Sequence, residues 1–147
     1  MVKKKMNKIE NYKPLIFKNS KGDLLRFIKK KDKGFFNIAE IYFSEIKPNK
    51  IKAWKKNNNK TQLISVPLGL VKIVVYDDRK RNKSKKISEV ILGRKKHKVV
   101  KIPPRVWYGF KSLSKNISLI VNCTNKPHNE KYAIAIDFDS KTIPYKW

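Results

Sequence analysis

"TQLISVPLGLVKIVVY", residues 61–76, decides the fold. Two runs of Leu, Ile and Val flank Pro67, Leu68 and Gly69, and neither carries the 3.6-residue apolar period of a helix. Short β-branched runs bounded by Pro and Gly are strands. The spacing predicts a tight hairpin turn from Pro67 to Gly69, with Gly69 at a positive φ. Outward from this stretch similar runs recur about every ten residues: "FFNIAEIYF" (35–43), "SEVIL" (88–92), "KVVKI" (98–102), "NISLIVN" (116–122) and "YAIAIDF" (132–138). That rhythm predicts an all-β sandwich or barrel, with no internal repeat. "KKNNNK" (55–60) and "RKRNKSKK" (79–86) are polar connections excluded from the core. Residues 1–12 are expected to be a flexible basic arm; the expected division is an arm with a first strand over 1–19 and one domain over 20–147.

A chain of 147 residues buries roughly two thirds of its unfolded surface in a single core. It contains no apolar run near the ~20 residues of a membrane-spanning helix, and "MVKKKMNKIENY" has no apolar stretch behind its charges. A cytoplasmic location is therefore expected. Cys123 is the only cysteine, which excludes an internal disulfide and a multi-cysteine zinc site, and its place in "ISLIVNCT" predicts a buried structural thiol. The net charge of +26 favours an anionic partner. Lysines outnumber arginines thirty-two to five, and they are scattered outside short clusters at 29–33, 80–86 and 94–98. Such a distribution is what AT-rich codon usage produces, so the charge argues for a solvated face more than for a nucleic-acid surface.

The richest short stretch is "IPPRVWYGF" (102–110), where Pro103 and Pro104 fix the turn entering a strand and Tyr108 lies beside Gly109. Trp107 and Phe110 are expected in the core. Read in order, "GDLLRF" (22–27), "FFNIAEIYFSEIKPNKIKAW" (35–54), "LGLVKIVVYDDR" (68–79), "IPPRVWYGF" and "DFDSKTIPYKW" (137–147) resemble the dTDP-4-dehydrorhamnose 3,5-epimerase family. The resemblance covers about residues 20–147. It implies a double-stranded β-helix, the cupin or jelly-roll barrel, usually a homodimer, with a nucleotide-sugar site in the barrel mouth and Tyr108 pointing into it.

Carried over position by position, the resemblance places changed chemistry in that mouth. In "KAWKK" (52–56), Lys52 stands where the family has a phosphate-binding arginine and Lys55 where it has the histidine base. Gln62 takes the place of an enolate-stabilising lysine, Tyr108 that of a turn histidine, and Val121 that of a proton-donating tyrosine. Arg26, Arg79 and Asp139 match the family, Asp139 as the carboxylate that orients the base; Arg105 is a further candidate for a diphosphate. Epimerisation removes a proton α to a ketone, which needs a base poised near neutral pH and an acid opposite it. An ordinary lysine holds its proton to pH ~10.4, so it substitutes poorly for histidine. Tyr108 serves as an acid, or as a base if cationic neighbours lower its pKa. The histidines by which cupins bind metal read Lys55, Asn57 and Tyr108 here, and His97 and His128 have no partner spacing. Neither a metal nor another cofactor is expected.

Three functions compete on this reading. The first is an epimerase or isomerase acting on a dTDP-4-keto-6-deoxy sugar in surface polysaccharide synthesis, with Arg26, Lys52 and Arg105 at the diphosphate. A second is a sugar-nucleotide-binding cupin without catalysis. The third is a nucleic-acid-binding barrel, which requires Trp54, Tyr76, Trp107 and Tyr108 as exposed stacking platforms. The edge strand within "FFNIAEIYF" is the expected homodimer surface.

Overall fold

In a computed structural model, residues 10–80 and 86–147 are described. Residues 1–9 of the expected arm and 81–85 of the polar connection lie outside them. Twelve strands are present, with no α-helix among the described residues. They are β1 (Glu10–Tyr12), β2 (Ile16–Phe17), β3 (Leu24–Leu25), β4 (Glu40–Ile46), β5 (Ile51–Asn57) and β6 (Gln62–Leu68). There follow β7 (Leu70–Asp77), β8 (Lys86–Gly93), β9 (Val99–Ile102), β10 (Trp107–Ser112), β11 (Ser118–Thr124) and β12 (Ala133–Ala135). A single 3₁₀ turn, Glu130–Tyr132, precedes β12.

Two five-stranded sheets carry the domain, ordered β1-β9-β6-β11-β4 and β12-β5-β10-β7-β8, and β2 pairs with β3. From β4 to β12 the chain changes sheet at every connection except β7–β8, which gives the jelly roll its two facing layers. This overturns the hairpin expected at Pro67–Gly69. β6 pairs with β9 and β11, whereas β7 pairs with β8 and β10, so the turn is a corner between sheets. Gly69 does have a positive φ, +84°. Short turns look alike in sequence whether the strand that follows pairs back or crosses over.

The strand runs are longer and more apolar than alternation requires because both faces of each sheet are covered. Val71, Ile73 and Val75 of β7 enter the central core with Ile64, Val100 and Ile120. The opposite face carries Val74 and Tyr76, which pack with Trp54, Trp107 and Ile143 beneath the C-terminal segment. Tyr12, Phe27, Ile28 and Phe36 cover Leu63, Val99 and Cys123 on the other sheet. Cys123 is thus a buried thiol, its pKa pushed up by burial, as the sequence predicts. Trp107 and Phe110 join the core as well, the indole donating to Asp78 Oδ2 at 3.1 Å.

Some boundaries move. Residues 35–39 of "FFNIAEIYF" are not strand; Phe36 instead packs on the outer cluster, and Ala39 N–H donates to Thr124 O. "YAIAIDF" is strand only over Ala133–Ala135, although Ile136 and Trp54 exchange backbone bonds of 3.1 and 2.8 Å just beyond it. "KKNNNK" is not excluded from the core: Lys55–Asn57 end β5, and Asn57 and Lys60 are buried. The strand continues through these polar residues with Lys55 and Asn57 facing a cavity and Lys56 facing the opposite side, over Trp107.

The corner at Gly69 provides a test. A Cβ there would lie 2.1 Å from Ser118 Oγ and 2.8 Å from Ser118 Cα, and L-residues disfavour the positive φ. Gly69→Ala should cost about 3 kcal/mol from strain and overpacking together, lowering the thermal midpoint by roughly 10 °C. Calorimetry checks this, and an unchanged midpoint would show that the corner relaxes freely.

Candidate functional site

The cavity forms where β5 and β10 run side by side. Their register is Trp107↔Lys56, Tyr108↔Lys55, then Phe110↔Lys52, so Ala53 and Trp54 together oppose the single residue Gly109. This is a β-bulge. Cross-strand partners share a face, and Tyr108 and Phe110 both belong to the central core. The extra residue therefore turns Lys52 to the same interior side as Lys55. Only glycine fits opposite the bulge: a Cβ on Gly109 would meet Ala53 Cβ at 2.3 Å and Trp147 Cζ2 at 2.8 Å.

The resulting cavity has a volume of about 240 Å³. Tyr42 of β4, Lys55 and Asn57 of β5, Lys60, Tyr108 of β10 and the backbone turn carrying His128 and Glu130 enclose it, with β12 at its side. At its floor Asn57 Nδ2 donates to Tyr108 Oη at 3.0 Å, and Tyr108 Oη lies 3.5 Å from Gln62 Oε1. Gln62 is fully buried, and its Nε2 makes no hydrogen bond among the described residues. Buried donors normally find a partner, so this amide is the floor's open hydrogen-bonding group.

Electrostatics sorts these groups into acids and cations. Burial pushes the Tyr108 phenol up, against the smaller opposing effects of Gln62 and Asn57, so it stands as a proton donor rather than a base. Tyr42 is raised by burial first and then by Tyr108 and Glu40. Lys60 is lowered chiefly by burial, with Lys55 adding repulsion, and its ammonium lies 5.9 Å from the Tyr42 ring centroid. Lys52 is likewise lowered by burial and then by Lys55; its Nζ donates to Ser44 Oγ and Glu45 O, each at 2.9 Å. Lys55 and Lys60 at the opening, with Lys52 farther along the same side of β5, favour an anionic ligand.

The residues named from sequence divide. Lys55 and Tyr108 line the cavity, Gln62 underlies it, and Lys52 stands on the same interior side. The other four are elsewhere. Asp139 is exposed, outside the lining, and forms no ion pair with Lys55. Arg79 is held by Asp77 through bonds of 2.8 and 2.6 Å. Arg26 stacks over Phe17 at 4.9 Å, and its carbonyl bonds His97 Nε2. Arg105 is exposed at φ +63°, its backbone N–H donating to Asn57 O. Val121 pairs with Phe43, which is 67% exposed, so that position faces outward; Tyr42, paired with Asn122, faces the cavity instead.

The "GD" pattern serves the scaffold rather than the cavity. Asp23 accepts from Lys18 Nζ, Asn19 N–H and Arg94 Nη2, and the Lys18 bond first among these lowers its carboxyl to about 2. Trp54, Tyr76, Trp107 and Tyr108 are all buried, so they offer no stacking platform for nucleic acid. Among the described residues no group of three or more His, Cys, Asp or Glu side chains is placed to hold a metal ion. Sequence reading missed Tyr42, Lys60, His128 and Glu130; Tyr42 lies within the family-like stretch 35–54 but at no position given a role there, and the other three lie outside the family-like stretches.

Residues 44–147 match the model of the dTDP-4-dehydrorhamnose 3,5-epimerase family. A dTDP sugar isomerase from Desulfovibrio desulfuricans G20 superimposes with a TM-score of 0.91 at 34% identity, over 94% of this chain and 89% of that one. An epimerase from Legionella pneumophila in complex with dTDP-4-keto-L-rhamnose has the same fold, with a TM-score of 0.82 at 18% identity over 93% of this chain and 77% of that one. A probable low-salt glycan biosynthesis epimerase of Haloferax volcanii is 26% identical over 106 residues, which are 71% of this chain and 65% of that relative's length. With its cavity in the mouth of a two-sheet jelly roll, this chain belongs to the dTDP-4-dehydrorhamnose 3,5-epimerase family.

Proposed function

We propose that this protein is a nucleotide-sugar epimerase or isomerase, taking a dTDP-4-keto-6-deoxy sugar in the cavity beside Tyr108 and serving surface polysaccharide synthesis in the cytoplasm. The observation that carries this reading is the pairing, in one opening, of lysine cations with a buried neutral phenol. Removal of a proton α to a ketone leaves an enolate, which Lys55 and Lys60 are placed to meet, while Tyr108 returns a proton. At about 240 Å³ the cavity holds the sugar end of such a ligand rather than all of it. The diphosphate then lies toward Lys52, and no metal or organic cofactor is required. A binding protein without catalysis is the second reading, favoured by Lys55 at the base position and by Asp139 outside the cavity.

A homodimer belongs to the same proposal. β4 is the outer strand of its sheet, and Ile41 and Phe43 are 52% and 67% exposed there, with Leu68 of β6 59% exposed two strands away. An exposed apolar edge of this kind calls for a covering partner. Light scattering should give about twice the chain mass of 17.3 kDa, and Phe43→Glu should shift it toward one chain. A wild-type mass of one chain would overturn the dimer.

Two substitutions test the chemistry. Lys52→Ala should weaken dTDP binding by about 1.5–3 kcal/mol, the size of a charge-assisted contact, as titration calorimetry would read. Tyr108→Phe should leave dTDP affinity nearly intact but abolish deuterium incorporation from heavy water into the keto sugar. It leaves Asn57 Nδ2 without its acceptor, so about 1–3 kcal/mol of stability should go with it. Equal incorporation by wild type and Tyr108→Phe would remove Tyr108 from the mechanism; none in a wild type that binds dTDP would favour the second reading.

A further inference from the structure

Epimerisation needs a base, and the six titratable side chains that line the cavity can be taken in turn. Lys55 and Lys60 are the cations that the epimerase reading sets against the enolate, and a group that meets the enolate as a cation is not the group that took the proton. Burial raises both phenols, Tyr42 and Tyr108, so neither is a base. Glu130 is held below its ordinary value, first by its bond with His128 and then by the charges of His128 and Lys55, which makes it a weak base. His128 remains. Imidazole is the side chain suited to taking and giving protons near neutral pH.

The geometry around His128 supports that role. Its Nε2 lies 3.0 Å from Glu130 Oε1. A carboxylate only accepts, so Nε2 carries the proton and, in the neutral ring, Nδ1 carries the lone pair. The segment is anchored on both sides. His128 N–H donates to Glu40 Oε2 on β4 at 2.6 Å, Thr61 N–H to Asn125 Oδ1 at 2.9 Å, and Thr124 Oγ1 to Lys126 O at 2.9 Å. Asn129 Oδ1 accepts from Lys131 N–H at 2.9 Å and caps the turn that holds Glu130. The imidazole is half exposed, so its proton can exchange with water.

We propose that His128, oriented by Glu130, is the base that removes the proton α to the ketone in this cavity, the role that the family pattern gives to the position of Lys55. The assignment rests on the epimerase reading. The C–H bond breaks, its proton passes to Nδ1, and its electron pair becomes the enolate, whose oxygen meets Lys55 or Lys60. Tyr108 Oη then protonates the carbon from the other face. The imidazolium loses its proton to solvent and the phenolate regains one, so no oxidant, reductant or co-reactant is consumed. Glu130 acts through His128 and is a positioning residue.

The test uses the full chain and dTDP-4-keto-L-rhamnose in heavy water, following deuterium incorporation by mass spectrometry and dTDP affinity by calorimetry. His128→Gln should slow incorporation by at least about 100-fold, with dTDP affinity and thermal midpoint close to wild type. In His128→Gly, added imidazole should restore part of the rate, whereas Tyr108→Phe should gain nothing from it. Glu130→Gln should give an intermediate loss that imidazole does not repair. Incorporation at the wild-type rate in His128→Gln, or no rescue of His128→Gly, would overturn the assignment while leaving the epimerase reading intact. A wild type that binds dTDP and incorporates no deuterium would overturn both.

Discussion

Gly109 faces Ala53 across the β5–β10 pair at a distance that leaves no room for a Cβ, and the site depends on that approach. Because one residue of β10 opposes two of β5, the alternation of β5 changes at this point. Trp54 and Lys56 face outward, onto the cluster beneath the C-terminal segment, while Lys52, Lys55 and Asn57 face the interior. Without the extra residue, Lys52 would lie on the outer face with Trp54. The indole beneath the C-terminus and the cations of the cavity are therefore two results of one register shift.

The polar floor and the apolar core are continuous along β10. Phe110 lies deep in the core, with its ring centroid 5.7 Å from that of Tyr108, and Tyr108 carries its hydroxyl to Asn57 and Gln62. Burial at that boundary pushes the Tyr108 phenol up and lowers Lys60 above it. Desolvation thus acts in opposite directions on the two kinds of group, as it must when it disfavours whichever form is charged. The same low-polarity surroundings would strengthen the attraction of a lysine for an enolate.

Much of the fold was legible in residue types and their spacing. Strand runs at a regular interval predict an all-β barrel, and the expected strands at 61–67, 70–76, 88–92 and 98–102 appear within a few residues. The burial of Cys123, Trp107 and Phe110 was legible for the same reason, since apolar runs define the core. Of the site, the positions of Lys55, Tyr108 and Gln62 were reached through family resemblance, and the structure brings them together. Asp139, Arg26 and Arg79 were reached in the same way, and Arg105 as a further candidate for the diphosphate; their side chains are occupied or exposed elsewhere. A motif fixes the order of residues along the chain; it does not fix which side of a strand or loop they occupy.

The sequence by itself determined the class of fold, the composition of the core and the cationic character of the chain, because each depends on residue type and local period. The tertiary structure decided the rest. Whether Gly69 closes a hairpin or turns a corner depends on which distant strands accept β6 and β7, and that follows from packing two sheets face to face. Whether a polar residue such as Lys60 or Asn57 is a solvated connection or a cavity wall depends on what closes over it. His128 and Glu130 enter the site because hydrogen bonds to β4 and to the start of β6 fold the segment after β11 back over the barrel mouth. Those contacts are between residues far apart in the chain, and no local period encodes them.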